Sequence, residues 1–337
     1  MKKIITLGEI MLRLSPPNND KFLGTPNFNV NYGGGEANVA VALSNYGITS
    51  SFLTKLPDNE LGDSAIKHLR SFGVSTDSIV RGGERLGIYF LENGFSIRNS
   101  KVIYDRKNSS IATAKVDDFQ IEEILKGWDI LHVSGITLGI SQNGFEISKA
   151  FMKKAKEMGL EVSFDFNYRS KLWSLEEASL KIKEILKYVD IAFAGHLDFT
   201  NILGITPNNQ VDSTDIMKYY ETLYPQVMEK YNFKYIVSSI RDVKSASNNI
   251  YTGICYDNNK ISKSKSYDVD IIDRVGTGDA YTAGFLCGYA KDKTLEYTLE
   301  FATASAVLKH TIAGDVTTMK VGEVENLFES RSFDVVR

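Results

Sequence analysis

The stretch "DILHVSGITLGISQNGFEISKAFMKKAKEMGLEVSFDFN", residues 129–167, decides the fold class. Residues 129–135 form a short apolar run that reads as a buried strand. Residues 144–159 read as an amphipathic helix, and residues 160–167 as a second strand. A strand, a helix and a strand in that order predict a parallel pair joined by a helical crossover.

The same alternation extends in both directions. Residues 3–10 ("KIITLGEI") read as a buried strand, and 33–47 ("GGGEANVAVALSNYG") as a helix with Ala37, Ala40, Val41 and Ser44 on one face. A strand at 50–57 precedes a helix at 58–73 that ends on glycine. Later come a helix at 175–189, a strand at 190–195, a further helix and a strand at 233–240. The expectation is an α/β fold, a doubly wound and mostly parallel sheet flanked by helices. Two segments break the rhythm. Residues 11–32 carry Pro16, Pro17 and Pro26. Residues 85–110 predict a hairpin turning near Asn93-Gly94 or Asn99-Ser100. Neither holds a good helix, so both read as antiparallel strands of a small β-sheet lid. With no repeat, low-complexity tract or linker, residues 1–337 read as a single domain.

A chain of 337 residues supports a large core, and 43% hydrophobic with 24% charged residues is ordinary for a globular protein. The formal net charge of −3 gives no basic field for nucleic acid or an anionic membrane. No apolar stretch approaches the ~20 residues that span a bilayer, and the N-terminal apolar run is too short for a signal peptide. A cytoplasmic location is expected. Cys255 and Cys287 lie in apolar surroundings and read as core thiols. His68, His132, His196 and His310 share no metal-binding spacing. Neither a Walker A motif nor a G-x-S-x-G elbow occurs.

In an open α/β sheet, ligands bind outside the carboxyl ends of the strands. Four polar clusters fall there: Gly33–Asn38, Asp165–Arg169, Gly195–Asp198 and Gly276–Asp279. The turn Gly276-Thr277-Gly278 enters a helix, where free backbone N–H groups and the helix dipole favour an anion. Asp279 follows in the first helical turn. It is either a plain helix-stabilising acid or a base held beside an anion cradle, taking a proton from a sugar hydroxyl while the turn meets the phosphoryl group. Gly34 and Gly35 let a ligand approach the backbone, and Asn38 can bond a hydroxyl. Period-two alternation puts Asp165, Asn167 and Arg169 on one side if that strand continues. Arg169 is either an anion-binding fork or the partner of Asp165 or Glu177. Tyr104 and Arg106 share a face of the second lid strand, beside Tyr89 on its neighbour. They form either a sugar-acid contact or a solvated β face.

The segments "GGGEANVAVALSNYG" and "DRVGTGDAYTAGF" (273–285) resemble the two signatures of the PfkB (ribokinase-like) carbohydrate kinase family, in order and in separation. The resemblance covers nearly the whole chain and implies a ribokinase-like core with a β lid. "GEIMLRLSPP", "GIYFLE", "SKVIYDRKNSS", "HVSGITL" and "FDFNYRSKLW" resemble the members that phosphorylate 2-keto-3-deoxygluconate. This implies ATP-dependent phosphorylation of its C6 hydroxyl, with Mg2+ on the phosphates. It also implies Gly34, Tyr89, Tyr104, Arg106 and Arg169 around the substrate and Asn167 on the nucleotide side. Gly276–Gly278 would be the anion hole and Asp279 the proton acceptor. The sequence departs from the family at "AGHLDF" (194–199), where Asp198 stands in for an acid acting on the metal indirectly. "SSIRDVKSASNN" (238–249) replaces a glycine-bearing nucleotide loop and leaves Ser239 and Arg241 as ATP contacts. Arg274 stands where a small residue is frequent. A kinase for a neutral sugar such as fructose or ribose and a non-catalytic sugar-binding regulator remain the alternatives. The lid's strand edges favour a homo-oligomer paired through the lid.

Overall fold

The computed structural model describes residues 1–207 and 215–329, and these form two sheets. In chain order the strands are β1 (Ile4–Leu7), β2 (Met11–Ser15), β3 (Asn29–Gly33), β4 (Ser50–Leu56), β5 (Ile79–Arg81), β6 (Gly87–Glu92) and β7 (Lys101–Asp105). They continue with β8 (Ile130–Ser134), β9 (Glu161–Asp165), β10 (Ile191–Phe193), β11 (Tyr235–Ser245), β12 (Asn248–Tyr256) and β13 (Ile261–Asp270). The large sheet runs β13-β12-β11-β10-β9-β8-β1-β4-β5. Its members from β5 to β11 pair in parallel, while β12 and β13 close one edge antiparallel. Every residue of β1 and β8 is buried, as strands covered on both faces require.

Helices cover both faces. They are α1 (Gly35–Asn45), α2 (Glu60–Ser71), α3 (Ile121–Leu125), α4 (Gly135–Gly139), α5 (Gln142–Glu157), α6 (Leu175–Ile185), α7 (Ile216–Tyr231), α8 (Thr277–Ala290), α9 (Leu295–His310) and α10 (Val321–Glu329). Ile5 and Leu7 join the core under α5, α6 and α7, whereas Ile4 joins the core under α1, α8 and α9. That is strand alternation feeding two layers. α8 can lie close on α9 because of its glycines. A β-carbon at Gly284 would stand 2.7 Å from Ala302 Cα, and one at Gly288 would stand 2.5 Å from Thr298 Oγ1.

The small sheet has the order β3-β2-β6-β7. Its segments are those expected, and β6 and β7 form the hairpin, with both turn candidates in the loop between them. One expectation is corrected: β2 and β6 pair in parallel, not antiparallel. The chain leaves β2 for β3, α1 and β4 before it returns as β6, so a tight antiparallel turn between them is not available. Two further corrections concern α1 and β9. α1 is buried almost all round, not on one face, because α8 packs on its outer side. β9 stops at Asp165, and Asn167 turns to φ 37°, so period two does not reach Arg169.

The switch in strand order positions the site. β1 lies between β4 and β8: the chain builds one side first, then returns to the other. The crevice outside the carboxyl ends of β1 and β8 is where such a sheet receives a ligand. Most helices that start elsewhere carry their own caps. Asn59, Ser141, Ser174, Asp215 and Thr294 accept first-turn N–H groups of α2, α5, α6, α7 and α9. α1 and α8 begin on Gly34 and Gly276 with no side-chain cap.

Candidate active site

The two uncapped helix starts meet. Asn38 Nδ2 donates to Asp279 Oδ2 at 2.7 Å, and the Gly34 N–H donates back to Asn38 Oδ1 at 3.3 Å. One amide thus ties together glycine loops 241 residues apart in sequence. A β-carbon at Gly35 would face Asp279 Oδ1 at 3.8 Å with nothing nearer, so glycine keeps the front of that carboxylate open. At Gly34 it would stand 1.8 Å from the Glu9 carbonyl, which leaves room only for glycine.

The turn before α8 uses its two glycines differently. Gly276 has φ 80°, and a β-carbon there would stand 1.8 Å from the Asp315 carbonyl. It is needed for conformation and packing. Gly278 is not left-handed, and nothing lies within 4 Å of where its β-carbon would be. Its missing side chain opens space above first-turn amides that have no intrahelical acceptor, since the helix ladder starts with Ala280 N–H to Gly276 at 2.9 Å. This cradle fits a phosphate group. Thr277 is buried and bonds the Arg274 carbonyl through its hydroxyl at 3.0 Å, so it braces the turn.

Acids and the Arg169 cation surround the cradle. Burial pushes the Asp279 carboxyl up to about 6. Asn38 and Arg169 hold it down, while Glu36 and Asp315 add to the rise. Asp165, at the end of β9, goes to about 8 through burial and the charges of Asp279 and Asp198, with Arg169 opposing. Asp198 rises to about 6 through burial, against the Gly195 amide that it accepts at 2.8 Å and against Arg169. The Arg169 guanidinium is exposed, and no carboxylate lies within ion-pair distance of it among the described residues, so the structural pairing with Asp165 or Glu177 does not form. Asn167 instead folds back on Asp165, donating its N–H at 3.1 Å and its amide at 3.4 Å. Among the described residues no three acidic, histidine or cysteine side chains converge on a metal position.

The small sheet supplies the opposite wall. Tyr89 and Tyr104 face each other across β6 and β7, with ring centroids 6.0 Å apart, and Arg106 lies 5.6 Å from the Tyr104 ring. Arg106 is not free: it is paired with buried Glu9, which also accepts Ser109 Oγ at 2.5 Å. The Tyr89 hydroxyl is bonded to Asp315. Ser239 and Arg241 lie on the β11–β12 ladder, opposite Gly253 and Tyr251, so the segment read as a loop is strand. Arg274 donates to the carbonyl of Ala246 at 3.2 Å and bridges the β11–β12 turn to the Gly276 turn.

Five residues here escaped sequence reading. Glu9, Arg13, Asp273 and Asp315 are buried charges, and Glu36 was read only as part of a loop. Glu36 Oε1 accepts the Ser134 N–H and hydroxyl and the Thr137 hydroxyl at 2.6–3.0 Å, which locks α1 to β8 across the switch. A charged residue between leucines, as in Met11–Ser15, was the available signal.

The family model described as pfkB family carbohydrate kinase matches residues 1–320. A 2-dehydro-3-deoxygalactonokinase of Haloferax volcanii is 30% identical over 325 residues, 96% of each chain. A 5-dehydro-2-deoxygluconokinase of Clostridium perfringens is 26% identical over 324 residues, 94% of this chain and 90% of that one. Among solved structures, the 2-dehydro-3-deoxygluconokinase of Thermotoga maritima is 42% identical with a TM-score of 0.93, covering 97% of this chain and 98% of that one.

Proposed function

Because this chain belongs to the PfkB family of carbohydrate kinases, we propose that it transfers the γ-phosphoryl group of ATP to the C6 hydroxyl of 2-keto-3-deoxygluconate, giving 2-keto-3-deoxy-6-phosphogluconate. The observation that carries the reaction is Asp279, held by Asn38 at the open mouth of an uncapped, glycine-started helix. The sugar hydroxyl gives its proton to Asp279 as its oxygen attacks phosphorus, and ADP leaves. The turn's N–H groups meet the charge that spreads over the phosphoryl oxygens. Magnesium, arriving on the nucleotide, would screen the charge of the phosphates. That suits a site with scattered acids and no closed cage, and Asp198 would act on it indirectly. Asn167, Arg169, Ser239 and Arg241 line the nucleotide side, and Gly34, Gly35, Asn38, Tyr89, Tyr104, Arg106 and Arg169 the sugar side.

Arg169 supports an acidic acceptor, because an unpaired guanidinium beside the site fits a carboxylate or phosphate as a fork. One observation favours a neutral sugar: Glu9 already neutralises Arg106. ADP release over a panel decides. The panel holds the gluconate- and galactonate-derived 2-keto-3-deoxy acids, fructose and ribose. We expect kcat/KM on one of the acids to exceed that on fructose by about 10–100-fold, the worth of one charge-assisted contact. Equal or higher values on fructose or ribose overturn the acid assignment.

We place the reaction in the cytoplasm; among the described residues no helix is long and apolar enough to cross a membrane. We also propose that residues 1–337 act as one domain and that copies pair through the small sheet. Val30, Ile97 and Ile103 of that sheet and its loop are exposed.

A further inference from the structure

We infer that Arg13 is a positioning residue for phosphoryl transfer: its buried guanidinium pins the small sheet to the Gly276 turn and so sets where the turn's N–H groups stand. Arg13 sits mid-strand on β2, and its side chain is 2% exposed. Its Nη2 donates to Asp273 Oδ2 at 2.6 Å and its Nη1 to Asp315 Oδ2 at 3.0 Å, while Nε donates to Ser15 Oγ at 2.8 Å. Both acids belong to the cradle's frame. Asp273 also accepts the Val275 N–H at 3.0 Å, immediately before Gly276, and the Gly314 N–H at 3.1 Å. The Asp315 carbonyl is the atom against which Gly276 packs, and the Asp315 side chain fills the space over Gly33. Asp315 further accepts the Tyr89 hydroxyl, and Tyr89 is the neighbour of Arg13 across β2 and β6. One side chain from the small sheet therefore meets both loops that shape the turn.

The charges balance locally. Arg13 and buried Lys309, whose Nζ donates to the Ile312 carbonyl at 2.9 Å, face Asp273 and Asp315. Burial alone would depress the guanidinium's pKa, but Asp315 and Asp273 carry it upward, so it stays charged. Removing the cation alone would leave Lys309 facing two buried carboxylates, one negative charge in excess behind the site that must accept an anion.

The inference rests on the kinase reading above. Arg13→Met combined with Asp315→Asn keeps the cluster neutral, with Lys309 facing Asp273, while it cuts the tie between sheet and turn. We expect this double variant to fold, by circular dichroism and thermal melting, and to lose kcat by about 10–100-fold, the scale of an ångström-size misplacement. KM for sugar and for ATP should stay within about threefold of the parent value, since neither is held by Arg13. Arg13→Lys, which keeps the charge and one of the two contacts, should recover a part of kcat. Wild-type kcat in the folded double variant, or a loss confined to KM, overturns the inference. If the double variant does not fold, Arg13→Lys decides alone: unchanged kcat overturns the inference, and a fall in kcat at constant KM supports it. Failure of the kinase reading is separate, because the unaltered protein would then release no ADP with any sugar in the panel.

Discussion

Gly278→Ala should make the protein more stable and less active. Gly278, two positions after the left-handed Gly276, lies in ordinary helix, and no atom lies within 4 Å of the added methyl. Alanine is favoured over glycine in a helix by up to about 1 kcal/mol. In a chain of 337 residues that corresponds to a rise in Tm of about 1–3 °C. The same methyl would stand in the open space over the first-turn amides, where the phosphoryl group is proposed to sit. A displacement on the order of 1 Å there should cost about 10²-fold in kcat/KM. Gly276→Ala is the contrast, because φ 80° and an Asp315 carbonyl 1.8 Å from the new atom require the turn to open. It should lose about 2 kcal/mol or more of stability along with activity. Thermal melts and a coupled ADP assay on both variants separate the effects. A Gly278→Ala protein that is more stable and keeps kcat/KM within threefold would show that the space over Gly278 is not on the phosphoryl path.

Four further outcomes follow from the charged groups of the site. Asp279→Asn should lower kcat by about 10²–10⁴-fold with ATP affinity nearly unchanged, measured by single-turnover and nucleotide titration; near-normal turnover refutes the base assignment. With the Asp279 carboxyl at about 6, kcat/KM should fall tenfold per pH unit below that value. Arg169→Met removes a cation that favours the charged form, while Glu36, Asp165 and Asp315 remain, so the acidic limb should move to higher pH; a limb that stays or moves down removes Arg169 from the site's field. Asp165 has a folded value near 8, above its unfolded value near 4, so the folded state binds the extra proton and stability falls as pH rises from about 4 to 8. Asp165→Asn should abolish that loss and raise Tm at pH 8.5 relative to the parent protein. An unchanged Tm difference between pH 5 and pH 8.5 would refute the buried-acid account.

Periodicity exposed the α/β core because β1 and β8 are buried along their length and β9 at its centre, which makes them short, mainly apolar runs set apart from their helices. The small sheet was readable from its prolines and lack of helical pattern, but its parallel β2–β6 pair was not, since parallel pairing joins residues about 76 positions apart with no turn to announce it. β13 was missed because its outward face is polar and resembles solvated loop, and β12, although mostly buried, opens on Asn248 and Asn249 directly after the polar stretch read as loop. At the site, the glycine segments were legible since Gly276 makes a left-handed turn, Gly34 and Gly276 meet a backbone carbonyl below 2 Å, and Gly35 and Gly278 keep space open. Glu9 and Arg13 were not. On β2, Met11, Arg13 and Ser15 face inward while Leu12 and Leu14 face partly outward, the reverse of what hydrophobic alternation implies. Only the acids at 273 and 315, far off in sequence, make an inward arginine tenable.

An acid placed at an anion-attracting turn is a conflict only if both serve one partner. Here they point at different atoms. The amides of the turn face the space left by Gly278, whereas the Asp279 carboxylate is drawn toward Asn38 and the opening kept by Gly35. A carboxylate held at about 6 is mostly ionised at neutral pH and repels bound phosphate, yet it is basic enough to take a proton from a hydroxyl as that hydroxyl attacks. In the proposed transfer the repulsion would fade, because the acid would become neutral as negative charge spreads over the phosphoryl oxygens. The arrangement would then disfavour the ground state and relax in the transition state, which is the difference that speeds a reaction. A cap made by a side chain, as on α2 or α9, would have satisfied the amides permanently and removed that difference.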